Sequence, residues 1–255
     1  MELHFNEALA MAYKSQPQKI RVMSERWVEE NMYCPCCGKL HIKKLENNKP
    51  VSDFYCKGCD AVFELKSKQG KIGKKIIDGA YKTMIDRITS ATNPELFVLS
   101  YTADFNVKKL CLIPRFFLTP QVIEKRKKLP PTARRAGWEG CNILYEKIPD
   151  QAKIEVITDA KVKDKLDVVG QYNRIKKLQT NNLESRGWMI DVLNCINAIP
   201  TDKFLLREVY AYAEELQLKH SNNHNVEAKI RQQLQILRDK GFVEFLGKGC
   251  YKKIV

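Results

Sequence analysis

The sequence predicts a mixed α/β domain followed by a small helical domain that ends in a β-hairpin. Three observations lead there. The hydrophobic period changes from strand-like to helical near residue 180, five of the nine cysteines cluster between residues 34 and 59, and a polar stretch, LQTNNLESRG (178–187), separates the two patterns. The boundary is set between residues 1–182 and 183–255. A chain of 255 residues with 44% hydrophobic and 9% aromatic content is long and apolar enough to build a core in each part.

In order, NEALAMAYKS and KIRVMSERWVEENM carry apolar residues at helical spacing and predict two opening helices. From Tyr33 to Lys68 the pattern becomes cysteines, turns and short alternating strands. GKKIIDGAYKTMIDRITSA then reads as one long helix, and ELFVLSY (95–101) and KKLCLIP (108–114) as buried strands. A basic, Pro- and Gly-bearing loop, KRKKLPPTARRAGWEG, precedes two more strand-like runs, CNILYEKI and KIEVIT. In the second part, GWMIDVLNCINAI reads as a helix stopped by Pro200, TDKFLLREVYAYAEELQLKH as a helix with a Thr/Asp cap, and NNHNVEAKIRQQLQILRDKG as a third helix closing on Gly241. FVEFL and CYKKIV, joined at Gly247, Lys248 and Gly249, read as a hairpin. Three helices followed by a basic hairpin is the layout of a winged helix.

The net charge of +14 points to a polyanionic partner, with nucleic acid foremost. Residues 184–255 hold 11 Lys and Arg against 9 Asp and Glu, a net of +2, so +12 lies on the first domain. No apolar run reaches the roughly 18 residues of a membrane span, and the N-terminus lacks a basic start followed by an apolar block. The expected location is the cytoplasm, without membrane attachment, and the expected state is a monomer.

CPCCG and CKGC supply Cys34, Cys37, Cys56 and Cys59: a CxxC pair, an 18-residue gap, and a second CxxC pair. Four thiolates complete a tetrahedral Zn²⁺ sphere and leave no position for water, so the expected zinc is structural. Cys36 competes for this role, but the two-residue spacing and Gly38 favour Cys34 and Cys37. Cys111, Cys141, Cys195 and Cys250 sit in apolar or strand-like surroundings and read as filler.

Asp53 in PVSDFYC and Glu64 and Lys66 in VFELKSK form the second constellation. On a strand, alternation puts Glu64 and Lys66 on one face and Leu65 on the other, into the core, and a chain reversal between the runs sets Asp53 opposite Glu64. Asp53, Glu64 and the Leu65 carbonyl are then candidate Mg²⁺ ligands, and Lys66 a group to orient or deprotonate water in phosphodiester hydrolysis. Asp60 and Asp78 read as a turn residue and a solvated helix position.

NNKPVSDFYC, FELKSKQG, PTARRAGWEGCNI and KIRQQLQILRDKG together resemble, in order and spacing, the DpnI-like family of Type IIM restriction endonucleases, over nearly the whole chain. The resemblance implies a PD-(D/E)XK nuclease domain with an inserted zinc site, joined to a winged-helix (helix-turn-helix) domain that also reads methylated DNA. It implies cleavage of double-stranded GATC carrying N6-methyladenine, blunt ends, a host-defence role, Asp53, Glu64 and Lys66 as the catalytic triad, and the four cysteines as zinc ligands. The general nuclease pattern places proline before the Asp; here Ser52 stands there and Pro50 is nearby. For DNA reading, Arg134, Arg135 and Trp138 offer guanidinium groups and a flat apolar surface, with Trp138 the expected methyl contact. In the winged helix the candidates are Asn222, Asn223, His224, Lys229, Arg231, Gln232 and Gln233, with Lys248 in the wing reaching phosphate. Helical spacing divides these, and Leu234, Ile236 and Leu237 are expected on the buried side. Two other functions compete: a zinc-containing winged-helix regulator without nuclease activity, and a repair nuclease indifferent to methylation.

Overall fold

A computed structural model of the chain describes residues 1–45, 52–90 and 93–254; Pro50 lies outside the described residues. The chain divides into two compact units, Met1–Glu146 with Ala152–Lys176, and Lys147–Gln151 with Lys177–Val255.

In the first unit, helix α1 (Gln16–Asn31) is followed by β1 (Lys43–Lys44), β2 (Phe54–Tyr55), β3 (Val62–Gln69), β4 (Ile76–Ala80), α2 (Tyr81–Ile88), β5 (Glu95–Tyr101) and β6 (Val107–Ile113). Then come β7 (Ile123–Lys125), β8 (Gly140–Ile143), β9 (Ile154–Thr158), β10 (Lys161–Val162) and α3 (Lys165–Lys176). One seven-stranded sheet runs β1-β2-β3-β5-β6-β9-β10, with β3 and β5 parallel and the other pairs antiparallel. All seven residues of β5 are buried, and its apolar run Leu96, Phe97, Val98 and Leu99 is what a strand covered on both faces requires. Phe63 of β3 stacks on Phe97 of β5 with centroids 5.0 Å apart. A second sheet, β4-β8-β7, is antiparallel throughout.

Three expectations need correction here. NEALAMAYKS makes only a single 3-10 turn, Glu7–Ala10, because none of its residues is buried and a helix without a packed face is marginal in water. The long helix expected from residue 73 is a strand through Ala80 and a helix only from Tyr81. Ile76, Ile77 and Asp78 pair with Ile143, Asn142 and Cys141 of β8, so sheet pairing overrides the helical period. Asp78 is therefore a strand residue and not a solvated helix position. The linker expected over 178–187 already contains the start of a helix, capped by the Asn182 side chain, which accepts from Ser185 N at 2.8 Å.

The second unit contains α4 (Leu183–Ala198), β11 (Lys203–Leu205), α5 (Leu206–Tyr210), α6 (Ala213–Lys219), α7 (Val226–Asp239), β12 (Val243–Gly247) and β13 (Cys250–Lys253). Its sheet order is β11-β13-β12. Helix α4 is buried over most of its length and carries Trp188, which is fully buried. The segment read as one capped helix begins instead as β11, because Phe204 pairs with Tyr251 of β13 and stacks on its ring; the helix that follows breaks between Tyr210 and Ala213. The hairpin forms as expected, its turn made by three residues of positive φ, Gly247, Lys248 and Gly249.

Candidate active site

The cysteine pairs occupy two matching turns. In the first, Gly38 N donates to Cys34 O and Cys34 N to Lys39 O, both at 2.8 Å; in the second, Asp60 N donates to Cys56 O and Cys56 N to Ala61 O, both at 2.9 Å. The fifth residue of each turn has positive φ, Gly38 at 77° and Asp60 at 56°; Asp is among the few side-chain-bearing residues that enter this region readily. The turn role expected of Asp60 is the one it has.

The Sγ atoms of Cys34, Cys37, Cys56 and Cys59 all lie within 4.8 Å of one another, with Cys34 to Cys59 and Cys37 to Cys56 each 3.6 Å. A tetrahedron with Zn–S bonds of about 2.3 Å has edges of about 3.8 Å, so the quartet is compatible with a structural zinc ion. Cys36 stands outside it, against Cys34 and the Tyr172 hydroxyl. That hydroxyl also donates to the buried Glu95 at 2.9 Å.

The second cysteine turn is the turn of the β2–β3 hairpin. In that hairpin Phe54 pairs with Phe63 and Tyr55 with Val62, so the same register carried one residue further sets Asp53 beside Glu64. Asp53 N donates to Phe63 O at 2.8 Å, and Leu65 N donates to Asp53 Oδ2 at 2.7 Å. Lys66 Nζ lies 2.7 Å from Glu64 Oε1. The structure thus brings Asp53, Glu64 and Lys66 together. Leu65 is half-buried, not sunk in the core as expected, and lines a cavity of about 430 Å³ beneath α1.

Two acidic groups that sequence reasoning passed over complete the cluster. Asp78 Oδ1 accepts hydrogen bonds from Lys66 Nζ and from Gly79 N, the latter at 2.6 Å, while Asp78 Oδ2 is buried without a hydrogen-bond partner among the described residues. On α1, buried Glu25 pairs with Arg21 at 2.6 Å and Lys44 at 2.8 Å, and its charge reaches Asp53. The i, i+4 spacing of Arg21 and Glu25 was the available signal for that pair. Nothing in the sequence marked Asp78 while its segment read as a helix.

Burial pushes the Asp53 carboxyl up, opposed by the bond from Leu65 N, and pushes Glu64 up to about 7 against the pull of Lys66. Burial alone would lower the Lys66 pKa, but Glu64 and Asp78 more than reverse it, and the ammonium form is favoured. Three carboxyl groups thus surround one ammonium group in a mostly buried site. The carboxyl groups outnumber the ammonium group, and the excess negative charge beside Asp53 and Glu64 is matched to an added cation.

The basic loop before β8 is closed by Leu129 N to Trp138 O at 3.0 Å and Gly137 N to Leu129 O at 3.1 Å. Arg134 and Arg135 are exposed and Trp138 half-buried, with the Arg135 guanidinium 4.6 Å from the indole centroid. In the second unit, Asn222, Asn223 and His224 form the turn before α7, and Lys229, Arg231 and Gln232 reach solvent from it. Arg231 bonds to the Tyr210 hydroxyl. Gln233, only 2% exposed, must be withdrawn from the surface set: it lies on the buried stripe with Val226, Ile230, Leu234 and Leu237. Ile236, expected inside, is 37% exposed. His224 and the 84% exposed Leu218 face an open cavity of about 730 Å³ between α6 and α7. Lys248 is exposed at the wing tip.

Among the described residues no helix is long and apolar enough to cross a membrane. Residues 1–181 match the DpnI, Dam-replacing family, and residues 184–253 match the Dam-replacing HTH domain that accompanies it. With a mixed α/β unit, a four-cysteine cluster able to hold zinc and a helix-turn-helix unit all in place, the chain belongs to the DpnI family, with the make-up of a DpnI-like methyl-dependent restriction enzyme.

Proposed function

We propose that this chain is an Mg²⁺-dependent endonuclease of PD-(D/E)XK type that cuts double-stranded DNA at GATC when the adenine carries an N6-methyl group. The observation that carries the proposal is the meeting of Asp53, Glu64 and Lys66 across the β2–β3 hairpin, in a site too rich in buried carboxyl groups to be satisfied by one ammonium group. Asp53, Glu64 and the Leu65 carbonyl are the residues that would hold the cation. Bound there, a divalent cation supplies positive charge against the scissile phosphate and lowers the pKa of a water. Glu64 and Asp78 favour the ammonium form of Lys66, which suits it to orient the attacking water and to stabilise developing negative charge. The cysteine quartet, closing the turn that joins β2 to β3, keeps Asp53 and Glu64 in register.

An N6-methyl group in the major groove adds one apolar carbon, worth about 0.8 kcal/mol of transfer energy and about 1–3 kcal/mol of discrimination in a fitted pocket. Reading it in both units multiplies such factors. In the first unit Trp138 is the proposed methyl contact, with Arg134 and Arg135 on guanine or phosphate. In the second, Asn222, Asn223, His224, Lys229, Arg231 and Gln232 are the proposed readers and Lys248 a phosphate contact. A winged-helix regulator has no use for three buried carboxyl groups around one lysine.

The test is cleavage, with Mg²⁺, of matched plasmids from methylating and non-methylating hosts. The proposal expects double-strand cuts in the first and none in the second. Binding without cutting would make the chain a regulator, and equal cutting of both a nuclease blind to methylation.

A further inference from the structure

We propose that Asp78 is a positioning residue of the nuclease centre: from the second sheet it grips the Lys66 side chain and sets where the ammonium group stands relative to Glu64. The inference rests on the nuclease reading above and adds to it a residue outside the D…ExK pattern.

Asp78 belongs to β4, and Lys66 to β3 of the other sheet. A lysine has a long, flexible arm, and its neighbour Glu64, two residues earlier on the same strand, restrains it from one side only. Asp78 supplies the second anchor, since its Oδ1 accepts from Lys66 Nζ. That oxygen is itself pinned, because it also accepts from Gly79 N at 2.6 Å. The backbone is shaped for the task. The β4–β8 register shifts between Asp78 and Ala80, the kind of irregularity that re-aims a side chain. Ile77 is left 68% exposed while the Asp78 side chain is only 5% exposed. A buried ion pair is weak evidence for a stabilising role, because desolvation can exceed the Coulombic gain; among the described residues Asp78 Oδ2 is also buried without a hydrogen-bond partner, a further cost to stability.

The experiment uses the full chain with its zinc, a plasmid carrying N6-methylated GATC, and the variants Asp53→Asn, Asp78→Asn, Asp78→Glu and Lys66→Ala, with Asp78→Asn also placed in the Lys66→Ala background. Cleavage by the parent chain and its loss in Asp53→Asn establish the nuclease reading on its own; without them that reading fails and this inference with it. Given them, Asp78→Asn should lower kcat by about 10- to 100-fold, with KM for DNA and calorimetric Mn²⁺ affinity held within about threefold. Asp78→Glu should recover part of kcat, and Asp78→Asn should add no further loss to Lys66→Ala. Zinc content and the melting midpoint check folding; should the Asn variant fail to fold, Asp78→Glu carries the same split, a lower kcat at unchanged Mn²⁺ affinity. A kcat equal to the parent's, an undiminished effect in the Lys66→Ala background, or a loss of Mn²⁺ affinity as large as that of Asp53→Asn would each overturn the assignment.

Discussion

Replacing Cys37 by serine removes one of the four thiolates and with it the proposed cross-link between the two cysteine turns. The magnitude follows from the chain between them. Holding the first CxxC turn to the second closes a loop of about 20 residues, and the loop-closure relation used for covalent cross-links gives about 3 kcal/mol for that length. For a unit of this size, about 3 kcal/mol lowers the melting midpoint by about 6–12 °C. The loss also reaches the acid cluster, because Cys56 lies three residues beyond Asp53 and the cysteine turn is itself the turn of the β2–β3 hairpin. The assay is zinc content by atomic absorption, thermal unfolding and plasmid cleavage on Cys37→Ser, with Cys36→Ser as control because Cys36 stands outside the quartet. Cys37→Ser should lose stoichiometric zinc, melt earlier and cut poorly, while Cys36→Ser keeps its zinc. Stoichiometric zinc and an unchanged midpoint in Cys37→Ser, or loss of zinc in Cys36→Ser alone, would refute the ligand assignment.

Other consequences are open to measurement. Because burial holds Glu64 protonated up to about 7, a divalent cation must displace that proton. Mn²⁺ affinity should therefore rise about tenfold per pH unit below about 7 and level off above it; an affinity flat across that range would contradict the ligand role. At Gly140 an added Cβ would lie 2.8 and 2.9 Å from two ring atoms of Trp138, so Gly140→Ala must displace the indole. Its cleavage preference for methylated over unmethylated plasmid should fall by about tenfold or more, whereas an unchanged preference would remove Trp138 as the methyl contact. Burial would raise Glu155, but hydrogen bonds from Lys109 and Thr158, with the Lys109 and Lys163 charges, hold it down at about 2. The folded value lies below the unfolded one of about 4.3, so this stabilisation is full above about pH 4.3 and is lost as pH falls toward about 2. Glu155→Gln should therefore melt earlier than the parent at neutral pH and converge with it in acid. A constant gap across that range would rule the linkage out.

Much of the site was legible because its chemistry is written in local spacing. The two CxxC pairs and the alternation of Glu64 and Lys66 need only short-range geometry, and β5, β6, β9, α7 and the wing followed from runs whose period is unambiguous. What stayed hidden depends on partners distant in sequence. Asp78 reads as helical until β8 pairs with its strand, and only that pairing carries it to Lys66. Phe204 likewise belongs to a helical run until Tyr251 claims it for the sheet. On α7 the error was one of phase: the buried stripe at 226, 230, 233, 234 and 237 takes in Gln233 and leaves Ile236 outside, so a polar residue sits where polarity argued for the surface. The missing first helix shows the reverse, a good local period in a segment none of whose residues is buried.

The most direct test of the central claim separates binding from hydrolysis at one atom pair. In Asp53→Asn, methylated GATC duplex should bind as tightly as to the parent chain while single-turnover cleavage falls by about a thousandfold or more. An Asp53→Asn protein that cuts at the parent rate would show that the acid cluster on the β2–β3 hairpin is not where the phosphodiester is broken.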